Sequence, residues 1–458
     1  MSTFPQKLLH GLTSLILITG TPLLLICPVN KANSAEKPRV PNIVLILSDD
    51  QGWRDYSFMG HPHIRTPSLD RLASQSLTFS RGYVPCSLCC PSLASIITGR
   101  YPHQHKITSN DPPLPPGLQG AAANKDAGYR ATRREMIGFI DHVSTLPRLL
   151  AKQGYVSFQT GKWWQGHFRH GGFTDGMSQG DPDKGGRHGD AGLDIGRKTM
   201  QPIYDFIDRS RRDGKPFFVW YAPMMPHQPH NPPERLLAKY KDKAPTLPVA
   251  KYWAMCEWFD ETCGQLLDHL DRKGLAEETL VVYVTDNGWI QDPKANRYAA
   301  KSKQSPYDGG LRTPILVRWP GHVKPRKSER LVISLDIAPT LLAAAGLKPD
   351  KDMPGLNLLD DDALAARKAI FGECFTHNAV NIHDPASSLR YRWIIEDSWK
   401  LIVPAGRNAA KGEPELYDLA RDPDEEHNLA AEQRDRVKRL KARLDVWWPG
   451  LERKRDEG

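Results

Sequence analysis

The run Pro41-Asn-Ile-Val-Leu-Ile-Leu-Ser48 shows no polar alternation, and it stops abruptly at Asp49-Asp50-Gln51-Gly52. An unbroken apolar run of this length predicts a central parallel strand buried on both faces. Similar runs recur at 155–160, 217–221, 280–284, 315–318 and 369–371. Helical periods lie between them, at 66–75, 145–153, 249–273 and 334–345. Strands alternating with helices predict an α/β fold, a doubly wound and mostly parallel sheet with helices on both faces. Ligands bind such sheets beyond the carboxyl ends of the strands. Polar residues directly after the strand runs therefore carry the most weight.

The pattern changes in four places. Residues 120–136 show no clear period and read as an exposed insertion, and 171–196 are rich in glycine and aspartate and read as a long, substrate-facing loop. From about 384, the stretches 392–396, 399–403 and 415–419 predict a small antiparallel sheet, followed by a charged helix over 430–448. At the start, Lys7 precedes a mostly apolar stretch, 12–26, and Ala32-Asn-Ser-Ala35 offers small residues for cleavage. That pattern predicts a signal peptide over 1–35 and export to the periplasm or medium. The stretch is short for a membrane span and is interrupted by Gly20 and Pro22, and no later stretch is apolar enough to span a bilayer. The predicted organisation is a signal over 1–35, an α/β unit over 36–383 and a smaller α+β subdomain over 384–458.

Composition adds two constraints. The chain has 458 residues and a formal net charge of +9. Its Lys and Arg are dispersed, which favours an anionic substrate and argues against a nucleic-acid tract. Loss of Cys27 with the signal leaves six of the seven cysteines. Cys256 and Cys263 fall about 10 Å apart on a predicted helix, too far to pair. The chain is not a disulfide scaffold.

The chemistry concentrates in Cys86-Ser-Leu-Cys-Cys-Pro-Ser-Leu-Ala-Ser-Ile-Ile-Thr98. Pro91 reads as a first helical residue, and Gly99 as the stop. Cys89 and Cys90 then lie at a helix N-terminus, where the dipole favours an anion, so a cysteine there is a low-pKa thiol or something made from one. A zinc site on Cys86, Cys89 and Cys90 lacks a second cysteine pair. Asp49 and Asp50 end one strand run, and Asp286 and Asn287 end another. Either pair alone is a common turn. Together, at strand ends of one sheet, they make a hard-oxygen site for Ca²⁺ or, less well, Mg²⁺. Lys162 follows the run at 155–160, His227 lies in a Pro-His-Gln-Pro loop, and Lys303 precedes Gly309-Gly310. Two cations and a histidine facing a metal pocket suit an oxyanion and its leaving group.

From about Asn42 to Leu429 these motifs, in this order, resemble the type I sulfatases, the formylglycine-dependent branch of the alkaline phosphatase superfamily. Cys89-Cys-Pro-Ser with Thr98-Gly-Arg looks like the family signature. The resemblance implies that Cys89 is converted to formylglycine by a formylglycine-generating enzyme. It implies that the aldehyde hydrate, on a Ca²⁺ held by Asp49, Asp50, Asp286 and Asn287, attacks the sulfur of a sulfated small molecule or glycan. Lys162 and Lys303 then bind sulfate, and His227 protonates the departing alcohol. Two positions depart from the pattern: Leu93 stands where the family has arginine, and Trp164 where it has histidine. His167, three residues on, is the sequence's candidate for the missing histidine. The alternatives are a phosphate or phosphonate ester hydrolase of the same superfamily, and a non-catalytic protein that captures sulfated glycans.

Overall fold

The computed structural model describes residues 40–180, 186–405, 408–409 and 412–449; the predicted signal at 1–35 lies outside them. The chain builds two sheets. The larger has nine strands, β1 (Asn42–Ser48), β2 (Leu77–Tyr83), β3 (Val156–Gly161), β4 (Asp175–Gly176), β5 (Phe217–Ala222), β6 (Thr279–Thr285), β7 (Arg312–Arg318), β8 (Arg326–Ser328) and β9 (Val332–Ile333). Their order is β4-β3-β5-β1-β6-β7-β2-β8, with β9 beside β2. The smaller is antiparallel, β10 (Ile370–Phe375), β11 (Leu389–Glu396), β12 (Trp399–Pro404) and β13 (Glu415–Asp418), in that order.

Each central strand is buried on both faces, as its unbroken apolar run requires. Along β1, Ile43, Leu45 and Leu47 enter one core with the helix Cys89–Thr98 and the helix Ile337–Ala344. Val44 and Ile46 enter the opposite core, with Met255, Phe259 and Leu266 of the helix Leu247–Arg272 and Ile203 and Phe206 of the helix Gln201–Arg212. Burying each such side chain stabilises the fold by roughly 1.5–3 kcal/mol. β3, β5, β1 and β6 run parallel, so their carboxyl ends open onto one edge. β7 pairs antiparallel with β6 and with β2, so the run at 315–318 turns against its neighbours.

Four local expectations are corrected. The helix at the signature cysteines starts at Cys89, two residues before Pro91, because Ser92 N–H already donates to Leu88 O at 3.0 Å. Residues 120–136 form two helices, Gly120–Lys125 and Ala127–Gly138, the second capped by the Asp126 carboxylate on Tyr129 N. Few of their residues are buried, so no apolar stripe announces them. The run at 369–371 contributes to β10 in the smaller sheet, where Trp393 of β11 packs its ring 6.2 Å from Tyr83 of β2. The last helix is Arg434–Trp447. Both sheets belong to one compact unit, Val40–Gly458. No helix among the described residues is long and apolar enough to cross a membrane.

Candidate functional site

The carboxyl edge of the parallel strands gathers the polar residues. Asp49 and Asp50 leave β1, and Asp286 and Asn287 leave β6, its neighbour in register from Asn42↔Thr279 to Ser48↔Thr285. Asp50 takes a left-handed backbone, φ 59°, which turns its N–H toward Asp286 Oδ1 at 3.2 Å. Asn287 Nδ2 donates to Asp50 Oδ1 at 2.7 Å. Asp49, Asp50, Asp286 and Asn287 are all at most 2% exposed.

Lys162 follows β3 immediately. Gly161 makes that possible, because at its φ of +73° a Cβ would come within 1.9 Å of Ala222 O on β5. Lys162 Nζ donates to Asp49 Oδ1 at 2.7 Å and lies 3.4 Å from Asp286 Oδ2. Lys303 Nζ reaches Asp50 at 2.7 Å. Its loop is tied to the segment before Cys89 by Gln304 N–H on Ser87 O at 2.8 Å and by Ser87 Oγ on Ser305 O at 2.6 Å. His227 lies in a loop whose Met225 carbonyl accepts from Asp49 N–H at 3.0 Å. Its Nδ1 donates to the Gln228 carbonyl at 2.7 Å, and its Nε2 points at Asp50 Oδ2, 3.3 Å away. An Nε2 that faces a carboxylate at this range carries a proton or shares a cation with it.

Cys89 opens a fully buried helix that the Ser92 hydroxyl ties to the Asp286 carbonyl. Ligand atoms of Cys89, Asp49, Asp50 and His227 all lie within 4.8 Å of one another. Burial pushes the Cys89 thiol up to about 11 against the pull of Lys162 and Lys303, so the unmodified side chain is not the low-pKa thiol that its helix end suggested. Burial, then the charge of Asp49, pushes Asp286 up to about 8, while Lys303, His227 and Lys162 outweigh burial at Asp50 and hold it down at about 2. The residues fit a divalent cation. Asp49 Oδ2 and Asn287 Oδ1 are buried acceptors with no hydrogen-bond partner among the described residues, a costly arrangement that an oxygen-seeking ion relieves.

The structure brings together Cys89, Lys162, His227, Lys303, Asp49, Asp50, Asp286 and Asn287. His167 accepts from Arg169 N–H at 3.2 Å and packs on Phe168, 4.3 Å between ring centroids. Leu93 is 4% exposed and packs into the core with Ile96 and Ile97. Cys90 turns away: its N–H donates to Asn110 Oδ1 at 2.9 Å, and its Sγ accepts from Gln165 Nε2 at 3.5 Å. The sequence did not single out Asn110, Asp111, Arg133, Gln165, Arg187 and His188. Arg187 and His188 lie against Trp164 in the loop that was predicted to face substrate, and that loop length was their only signal.

Comparisons with known proteins identify the family of the chain. The Sulfatase family profile matches residues 41–347, and the profile of the N-sulphoglucosamine sulphohydrolase C-terminal region matches 298–447. The human N-acetylgalactosamine-6-sulfatase is 32% identical over 363 residues, 70% of this chain and 66% of that protein, so the match spans just under two thirds of its length. The N-acetylgalactosamine-6-O-sulfatase of Bacteroides thetaiotaomicron is 25% identical over 94% of this chain and 97% of its own. Among solved structures, a protein bound to its substrate D-glucosamine-2-N,6-O-disulfate superposes with a TM-score of 0.69 at 20% identity, covering 91% of this chain and 99% of that one.

Proposed function

This chain belongs to the sulfatase family of sulfuric ester hydrolases, and we propose that it hydrolyses a sulfate ester carried by a carbohydrate, using formylglycine made from Cys89 and a bound Ca²⁺. The observation that carries the reading is the convergence of Lys162, Lys303, His227 and the paired acidic strand ends on the Cys89 side chain. The carbohydrate is supported by the N-acetylgalactosamine 6-sulfate on which two relatives act and by the glucosamine disulfate bound to a structural neighbour. Residues 36–383 supply every group invoked.

In this reading Asp49, Asp50, Asp286 and Asn287 hold the ion, with Cys89 beside them. The ion and the aldehyde hydrate together supply an activated oxygen nucleophile and a place for oxyanion charge. The chain's own groups do the rest. Lys162 and Lys303, each fixed by a carboxylate, bind the sulfuryl oxygens and offset the charge that builds on them. His227 is oriented by its Nδ1 bond to Gln228, which leaves Nε2 to donate a proton to the departing alcohol oxygen. A formylglycine-generating enzyme and export by cleavage after residue 35 complete the proposal.

The test is turnover of an aryl sulfate, an aryl phosphate and N-acetylgalactosamine 6-sulfate by protein from its native host. Sulfate ester turnover that exceeds phosphate turnover supports the reading. The reverse order promotes a phosphoester hydrolase, and tight glycan binding without turnover promotes a binding protein.

A further inference from the structure

Position 164, two residues after Lys162, is a tryptophan, which brings an N–H donor and no acceptor. Its Nε1 is buried without a hydrogen-bond partner among the described residues. Two residues of one loop pack on this ring. Arg187 sets its guanidinium 4.7 Å from the ring centroid. His188 meets the ring at 5.4 Å with the two planes at 88°.

That loop is pinned to the end of β3. Trp163 N–H donates to the His188 carbonyl at 3.0 Å, and Ser178 Oγ donates to the Gly189 carbonyl at 2.9 Å. Gly189, at φ +146°, sits so close that a Cβ would come within 2.8 Å of Gly161 O. Arg187 is held in turn by Asp111, which accepts from Nε at 2.8 Å and from Nη2. The His188 ring thus has a fixed place beside the strand end that presents Lys162.

Among the described residues, the buried His188 Nδ1 has no hydrogen-bond partner. Burial first, then the charges of Lys162, Arg187 and His227, push the imidazole down to about 3, with Asp111 opposing. At neutral pH the ring is therefore uncharged, and with its hydrogen on Nε2 the Nδ1 lone pair is free to accept. Of the neighbouring nitrogens, Lys162 and Lys303 are engaged by carboxylates and His227 Nδ1 by a carbonyl, while the His230 ring packs between Tyr252 and Trp289, away from Trp164.

We propose that His188 is the proton acceptor of this site, its Nδ1 taking the proton of a hydroxyl presented beside Lys162 and His227, where Trp164 supplies no base. In this step the O–H bond breaks, an N–H bond forms at Nδ1 and the electron pair stays on oxygen; the imidazolium then returns its proton to water. The incoming sulfate offsets the surrounding cations that otherwise disfavour the imidazolium. The inference rests on the sulfatase reading and adds to it a residue that accepts a proton.

The test uses full-length protein from the native host as wild type, His188→Ala and His167→Ala. The expected result for His188→Ala is a fall in aryl sulfate turnover of about 10²–10⁴-fold, partly restored by added imidazole. Calorimetric affinity for inorganic sulfate stays at the wild-type value, because Lys162 and Lys303 remain, and peptide mass spectrometry finds residue 89 in its wild-type state. His167→Ala keeps wild-type turnover. Unchanged turnover in His188→Ala, a loss that imidazole does not restore, or an equal loss in His167→Ala overturns the assignment and leaves the sulfatase reading standing. A wild-type protein that turns over no sulfate ester overturns the sulfatase reading itself.

Discussion

Lys162 Nζ lies 2.7 Å from Asp49 Oδ1, with both side chains at most 3% exposed. The lysine satisfies one carboxylate oxygen and leaves the other, Oδ2, buried and without a partner among the described residues. A buried acceptor in that state is stabilised by a cation, and the unpartnered Asn287 Oδ1 adds a second oxygen for it. Calcium is therefore expected to raise the melting temperature of chelator-treated wild-type protein, by an amount equivalent to about 2.7 kcal/mol at a hundredfold excess over its Kd. Asp286→Ala is expected to lose most of that response and at least about 10²-fold in sulfate ester turnover. Calorimetric scanning with elemental analysis checks both. The same calcium response in the variant, or full activity, defeats the shared-ion arrangement.

The orientation of His227 gives a second expectation. With Nδ1 bonded to Gln228 O, only Nε2 can deliver a proton to substrate. His227→Ala should then lower kcat by about 10²–10⁴-fold for a carbohydrate sulfate, whose alkoxide leaves poorly, and far less for an activated aryl sulfate. Steady-state kinetics on the two substrates measures the gap. Equal losses would assign His227 to binding alone.

Asp111 provides a test of stability against pH. It is 5% exposed and accepts from both Arg187 and Arg133. These contacts outweigh burial and hold its carboxyl down at about 2, against an ordinary 3.8. Between these values the unfolded chain binds the proton and the folded one does not. The stabilisation, about 2 kcal/mol, is therefore full above pH 4 and is lost as pH falls toward 2. Denaturant unfolding of wild type and Asp111→Asn should show a wider stability gap at pH 6 than at pH 3. A gap that is constant or grows on acidification contradicts the assignment. Because Asp111 also orients Arg187 over Trp164, the variant is expected to lose turnover as well.

The parts of this site that were legible in the sequence share one physical cause. A strand buried on both faces must be apolar throughout, so Asp49-Asp50 and Asp286-Asn287 stand out where β1 and β6 end, and the parallel pairing of β1 with β6 brings them together. Lys162 was legible for the same reason at the end of β3. β2 was not, because Ser80 and Arg81 interrupt its apolar run. The run feeding β10 was visible as a strand, yet an apolar run carries no record of which sheet it joins. His188 was out of reach for a different reason. Its place depends on Gly189 lying against Gly161 and on Asp111 holding Arg187 across 76 residues of chain, neither of which follows any period. His167 was nearer in sequence, but its imidazole folds back onto its own turn at Arg169 N.

The last expectation concerns which cysteine is modified. Cys86 is buried with Phe375 and Leu389 against the smaller sheet. Cys90 faces Gln165 and Asn110, and the cation that acts on it is Arg133. Cys89 alone faces Lys162, Lys303, Asp50 and Asp286, the groups that bind an ion and an oxyanion. Leu93, in the place of the family's arginine, is packed into the apolar core and gives no charge to this pocket. Lys162 and Lys303, together with Arg187, whose charge also acts on Cys89, and the ion must then balance the anionic charge. Peptide mass spectrometry of natively expressed protein is expected to find an aldehyde at residue 89, trapped by a hydrazide, with Cys86 and Cys90 as thiols. Cys89→Ala should abolish sulfate ester turnover, while Cys90→Ser should retain most of it, since position 90 points away from the acidic cluster. An intact thiol at Cys89 in active protein removes formylglycine from the mechanism and leaves the same lysines, histidine and strand-end acids to serve a different nucleophile.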